Sequence, residues 1–89
     1  MVQVSFSSSF RRAFKKRIKG NSELESRFWK KLETFTNDPF DPSLKTHKLS
    51  GKLEDLWSFS IEYDRRVLFY FTNDSNAVFV DIGNHDEVY

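Results

Sequence analysis

The residues of this 89-residue sequence best suited to chemistry are two histidines, His47 and His85, and an arginine, Arg66. An imidazole with an ordinary pKa of ~6.5 gives or takes a proton near neutrality. A guanidinium offers a planar fork of donors to anionic oxygens. Neither histidine falls in a predicted strand or helix: His47 lies in a basic loop before a hairpin, and His85 follows the last strand. If the sheet is antiparallel, the end of the last strand lies beside the start of the strand that Arg66 opens. The three groups then converge. A plainer reading makes them two solvated loop histidines and a surface arginine, since loop position alone points only weakly to function.

Other chemistries find less support. The chain has no cysteine, so disulfides and thiolate metal sites are excluded. Two histidines without HxxxH spacing make a weak case for zinc. Gly20, Gly51 and Gly83 are isolated and form no phosphate-binding loop, and no serine sits in a GxSxG elbow. Glu62 and Asp64 lie two apart near a turn, which is no ligand cage.

The elements that must position these groups centre on residues 56–71. Trp57, Phe59, Ile61 and Tyr63 alternate with Leu56, Ser58, Ser60 and Glu62, the period of a half-buried strand. Val67 to Phe71 is almost continuously apolar, as a strand covered on both faces would be. The pair predicts a hairpin with Arg65-Arg66 at its turn. Val2 to Phe6 alternates and predicts an opening strand. Serines 7–9 then offer an N-cap to a helix with Phe10, Phe14 and Ile18 on one stripe, ended by Gly20-Asn21. Ser22-Glu23-Leu24-Glu25 has capping-box form and opens a second helix, to about Thr36, with Leu24, Phe28, Leu32 and Phe35 inward. Residues 37–52 read as irregular, broken by Asp38-Pro39 and Asp41-Pro42. Residues 73–76 predict a turn, 77–82 a last strand, and 83–89 a tail. The expectation is a single α+β domain over 1–89, ordered β-α-α-β-β-β: a mostly antiparallel four-stranded sheet with a two-helix hairpin packed on it.

The net charge of +1 conceals a division. Residues 1–52 carry twelve Lys/Arg against five Asp/Glu, and residues 53–89 carry two against eight. A basic surface for a polyanion or an acidic partner is compatible with this, as is an ordinary solvated helix face. No apolar run approaches the ~20 residues that cross a bilayer, and the serines interrupt any signal-peptide core. A soluble cytoplasmic protein with no membrane association is expected.

Four segments, in order, resemble the RelE/ParE toxin superfamily: residues 45–51 (KTHKLSG), 56–59 (LWSF), 64–70 (DRRVLFY) and 81–89 (DIGNHDEVY). The nearest branch is that of the RelE and YafQ messenger-RNA interferases. The resemblance spans essentially the whole chain and rests on the ordered combination of segments. It implies the toxin of a type II toxin–antitoxin system: a metal-independent endoribonuclease without cofactor. Its partners would be a cognate antitoxin, messenger RNA and the ribosome. A ribose 2′-OH would attack the adjacent phosphorus, leaving a 5′-OH end. Such chemistry needs a base, a cation for the phosphorane and an acid.

Residue by residue, the resemblance makes His47 the base, Arg66 the phosphorane cation and His85 the general acid. Tyr89 would stack on or orient the substrate. Lys48, Lys52 and Asp64 would bind it. Where RelE carries lysines on the hairpin's first strand, and YafQ-like proteins a histidine, this chain has Ser58 and Ser60. The alternatives are a ParE-type inhibitor of DNA gyrase acting by protein binding, and an RNA-binding module without catalysis.

Overall fold

The computed structural model describes residues 1–51 and 55–88. Its elements are β1 (Gln3–Phe6), α1 (Ser8–Arg17), α2 (Ser22–Asn37), a 3-10 turn (Pro42–Leu44), β2 (His47–Lys48), β3 (Trp57–Glu62), β4 (Arg65–Asn73), β5 (Asn76–Gly83) and α3 (His85–Val88). The α+β class and the β-α-α-β-β-β order are as the sequence predicts. Three short elements add to them, the first being the 3-10 turn at Pro42–Leu44. The two-residue β2 makes the sheet five-stranded, in the order β1-β5-β4-β3-β2, and the predicted tail winds into α3. All neighbours are antiparallel except β1 with β5.

Local chemistry sets the helix boundaries. The Ser7 hydroxyl accepts from the Phe10 amide and caps α1. The cap of α2 is Asn21 rather than the expected Ser22, its side-chain oxygen accepting from the Leu24 amide. Gly20, at φ +97°, makes the left-handed turn between the helices.

The helices bury their apolar stripes against one face of the sheet. Phe35 of α2 sits at the middle of that core, its ring 5.0 Å from Phe59, 5.0 Å from Phe69 and 5.3 Å from Phe79. All four are fully buried. Tyr63, predicted to share the face of Phe59 and Ile61, is instead 97% exposed in the β3–β4 turn. A register shift between Ser60 and Glu62 interrupts the alternation before it reaches Tyr63.

The opposite face carries the candidate site, and α1 closes one side of it. β1 pairs with β5 only as far as Phe79. Beyond that point α1 runs along the free edge of β5. The Ser9 hydroxyl donates to the Val80 carbonyl at 2.7 Å, and Arg17 Nη1 to the Ile82 carbonyl at 3.0 Å. Edge acceptors that a sixth strand would have used are thereby satisfied. Among the described residues no helix is long and apolar enough to cross a membrane.

Candidate functional site

Side chains directly opposite in an antiparallel pair point to the same face. His47 pairs with Ser58, Ser58 with Leu68, and Leu68 with Asp81, so these four form one row across the non-core face. Two residues along, Ser60 pairs with Arg66 and Arg66 with Gly83, a second row on the same face. His85 follows Gly83 by two residues and opens α3. His47 and Arg66 therefore share a face, and His85 stands at the end of the second row. Both histidines belong to regular elements, contrary to the sequence expectation: the first residue of β2 and the first of α3. Two strand spacings, about 10 Å, separate the backbones of β2 and β4. The Arg66 side chain leans into that gap, Nη1 donating to Ser60 Oγ at 3.3 Å.

Three anchors fix His47. Leu44 at the end of the 3-10 turn is fully buried, Thr46 donates its hydroxyl to the Pro39 carbonyl, and Phe40 packs edge-on to Trp57 at 5.5 Å. Lys45 between them takes the left-handed conformation, at φ 53°. Its carbonyl oxygen then lies 3.1 Å from His47 Nδ1. A carbonyl can only accept, so Nδ1 carries the proton and, in the neutral ring, Nε2 is left with the free lone pair.

His85 is held by a network at the junction of α1, β5 and α3. Asn84 and Glu87 cap α3 reciprocally: the Asn84 amide donates to Glu87 Oε1 at 2.7 Å, and the Glu87 amide to Asn84 Oδ1 at 2.9 Å. Arg17 ties that cap down, with Nη1 3.0 Å from Asp81 Oδ1 and Nε 3.5 Å from Glu87 Oε2. The His85 ring, 62% exposed, has Nδ1 3.7 Å from the Asp86 carboxylate.

Between α1 and this face runs an open groove of about 590 Å³. Arg12, Lys16 and Arg17 wall one side; Leu68, Val80 and Val88 lie on the other. The basic stripe of α1 thus faces the same surface as His47 and Arg66.

The remaining candidates scatter. Lys48 pairs with Trp57, so its side chain points to the sheet face opposite His47. Asp64 is exposed in the hairpin turn, its carboxylate 3.6 Å from Arg65 Nη1. Lys52 and Tyr89 lie outside the described residues. Among the described residues no group of three or more His, Asp or Glu is placed to hold a metal ion. Sequence reasoning missed Arg17, which reads as one more solvated lysine or arginine of α1. Only the acidic Asp81 and Glu87 far along the chain hint at a partner.

A family model for the bacterial YafQ toxin of type II toxin–antitoxin systems matches residues 2–89. Similar solved structures include a metal-bound toxin from Helicobacter pylori, 22% identical over 100% of both chains with a TM-score of 0.79. YafQ from E. coli strain BL21(DE3) is 16% identical, covering 100% of this chain and 99% of that one, with a TM-score of 0.76. The YoeB–YefM complex from Staphylococcus aureus is 16% identical, covering 96% and 98%, with a TM-score of 0.74. At these identities the likeness is one of fold. No curated protein matches the chain.

Proposed function

Because the chain belongs to the YafQ family of bacterial type II toxin–antitoxin toxins, we propose that its non-core sheet face cleaves RNA by internal transesterification. His47 Nε2 takes the proton of a ribose 2′-OH, and O2′ attacks the adjacent phosphorus. The P–O5′ bond breaks as P–O2′ forms. His85 delivers the proton to the departing O5′, and the products are a 2′,3′-cyclic phosphate and a 5′-OH end. Arg66 neutralises the extra negative charge of the phosphorane, where a preformed cation outside bulk water is worth most. Messenger RNA on the translating ribosome is the substrate, so this reading puts the protein in the cytoplasm. A cognate antitoxin holds it inactive; the YoeB relative was solved bound to YefM.

The observation that carries this reading is the shared face: His47 and Arg66 project from it, and β5 delivers His85 to its end. Primer extension on transcripts in a translating extract, with end-group analysis of the fragments, is the test. Wild-type protein is expected to leave cyclic-phosphate and 5′-OH ends, and His47→Ala and His85→Ala to lose about 10²–10⁴-fold in rate. Cleavage undiminished in both folded variants would refute the mechanism. Arrest of DNA gyrase with transcripts left intact would favour the binding-toxin alternative.

A further inference from the structure

A second groove, of about 350 Å³, opens at the edge of β3 where β2 no longer covers it. Its lining includes Arg27, Lys31, Lys45, Ser60, Tyr63 and Arg66. Four of these six are cations, and one is a tyrosine ring that is 97% exposed. A solvent-facing ring beside a cluster of cations matches how proteins hold single-stranded nucleic acid: phosphates on the charges, a base on the ring.

Two details point the same way. Arg66 lines the groove, and its Nε is buried without a hydrogen-bond partner, so the protein leaves this guanidinium's donors incompletely satisfied. Lys45 occupies a left-handed position, φ 53°, where glycine or asparagine is the unstrained choice. A lysine tolerated at a strained backbone position is explained when its ammonium is needed there.

We propose that this groove is a subsite for the nucleotide flanking the scissile phosphate. The neighbouring phosphate rests between Lys45 and Arg66, with Lys31 and Arg27 adding long-range attraction, and the base stacks on Tyr63. Arg66 thus joins two functions, since it lines this groove and belongs to the row that ends at His85. Arg27 keeps a positive role although Glu23 and Glu62 flank it at 2.7 and 3.5 Å, because the groove retains an excess of positive charge. The proposal rests on the reading of this face as an RNA site.

The test is the binding of a 2′-O-methyl RNA oligomer, which cannot be cleaved, to the whole protein by fluorescence anisotropy across a salt series. Lys45→Gly should keep or raise the melting temperature, because glycine relaxes the left-handed position. It should weaken binding roughly three- to tenfold and make the log–log salt slope shallower by about 0.7, one single-strand phosphate contact. Tyr63→Leu should weaken binding about tenfold with the slope unchanged, the sign of lost stacking. Wild-type affinity and slope in both variants, or no measurable RNA binding by the wild type, would overturn the subsite. Variants that behave as expected in a wild type that binds but never cleaves RNA would support the subsite and remove the catalytic reading, so the two failures are distinct.

Discussion

Gly83→Ala tests whether the α3 junction, rather than the sheet alone, makes the site competent. Gly83 does not sit at positive φ, so the substitution brings no backbone strain and its effect is steric. A Cβ there would meet Glu87 Oε1 at 2.8 Å, Glu87 Cβ at 3.0 Å and Arg17 Nη1 at 3.1 Å. A flexible carboxylate could swing aside, but Glu87 Cβ cannot move without its helix. Retreat by roughly half an ångström is needed to reach ordinary contact. That motion withdraws Oε1 from the Asn84 amide and Oε2 from Arg17. Water replaces the carboxylate at the amide, so the lost bond costs about 1 kcal/mol. The Arg17–Glu87 pair, 22% and 36% exposed, is screened and adds about 0.5 kcal/mol. Partial undocking of Val88, now 8% exposed, adds up to about 1 kcal/mol. A total near 2 kcal/mol leaves a domain of ordinary stability folded. On the proposed mechanism the loss of activity should be far larger, on the order of 10²-fold or more in kcat/KM, because proton delivery by His85 would depend on where α3 rests. The assay pairs urea unfolding with cleavage of RNA, using His85→Ala as comparator. Near-wild-type cleavage in a Gly83→Ala protein destabilised by the expected amount would refute the idea that this junction positions His85.

Four further outcomes follow from the same geometry. Arg66→Lys keeps the charge but loses the planar fork, so kcat for RNA cleavage should fall at least tenfold while folding, followed by circular dichroism, is unchanged. Phe35→Ala empties the centre of the aromatic core and should cost about 3–5 kcal/mol in urea unfolding. The Ser43 hydroxyl and then its amide hold the Asp41 carboxyl below the usual aspartate range. A lowered folded pKa stabilises above the unfolded value of ~3.9 and is lost as pH falls through the folded one. The stability gap between wild type and Asp41→Asn should accordingly shrink on acidification from pH ~6 to below ~3. Finally, β2 has two residues and α3 four, both at the periphery of the fold, so the urea midpoint of activity should precede that of global unfolding; coincident midpoints would show the site to be as rigid as the core.

The fold was legible where burial imposes a period. The stripes of α1 and α2, the alternation through Phe59 and the apolar run of β4 record which side chains meet, and those contacts are dictated by area removed from water. What escaped detection lacks a period. β2 is a two-residue strand, too short to alternate, and exists because β3 offers an edge to pair with. α3 has four residues and is stable through its Asn84–Glu87 cap and Arg17, a partner 70 residues away from Glu87. The choice of Asn21 over Ser22 as cap turns on one residue of backbone conformation, which both side chains can serve. At the site, the proximity of Arg66 to the end of β5 followed from antiparallel pairing alone. The opposite facing of Lys48 did not, because its direction depends on a register that only the β2–β3 pairing sets.

The chain divides its labour by stability. Arg66 is the second residue of β4, and the next residues Val67, Leu68 and Phe69 are all buried, so its backbone is anchored in the core. In the proposed mechanism the two proton carriers, His47 and His85, come from the periphery, one preceded by a strained lysine and the other by a glycine that leaves room for Glu87. A phosphorane needs its counter-charge in a defined place before the reaction begins, whereas proton donors and acceptors need correct placement only when substrate is bound. A site assembled in this way is simple to disable. A partner that lifts α3 or rotates the loop before β2 would remove acid or base without disturbing the aromatic core, and the freed protein would recover activity without refolding. On the proposed mechanism, keeping the proton carriers off the aromatic core would make reversible inhibition of the folded toxin compatible with a stable fold.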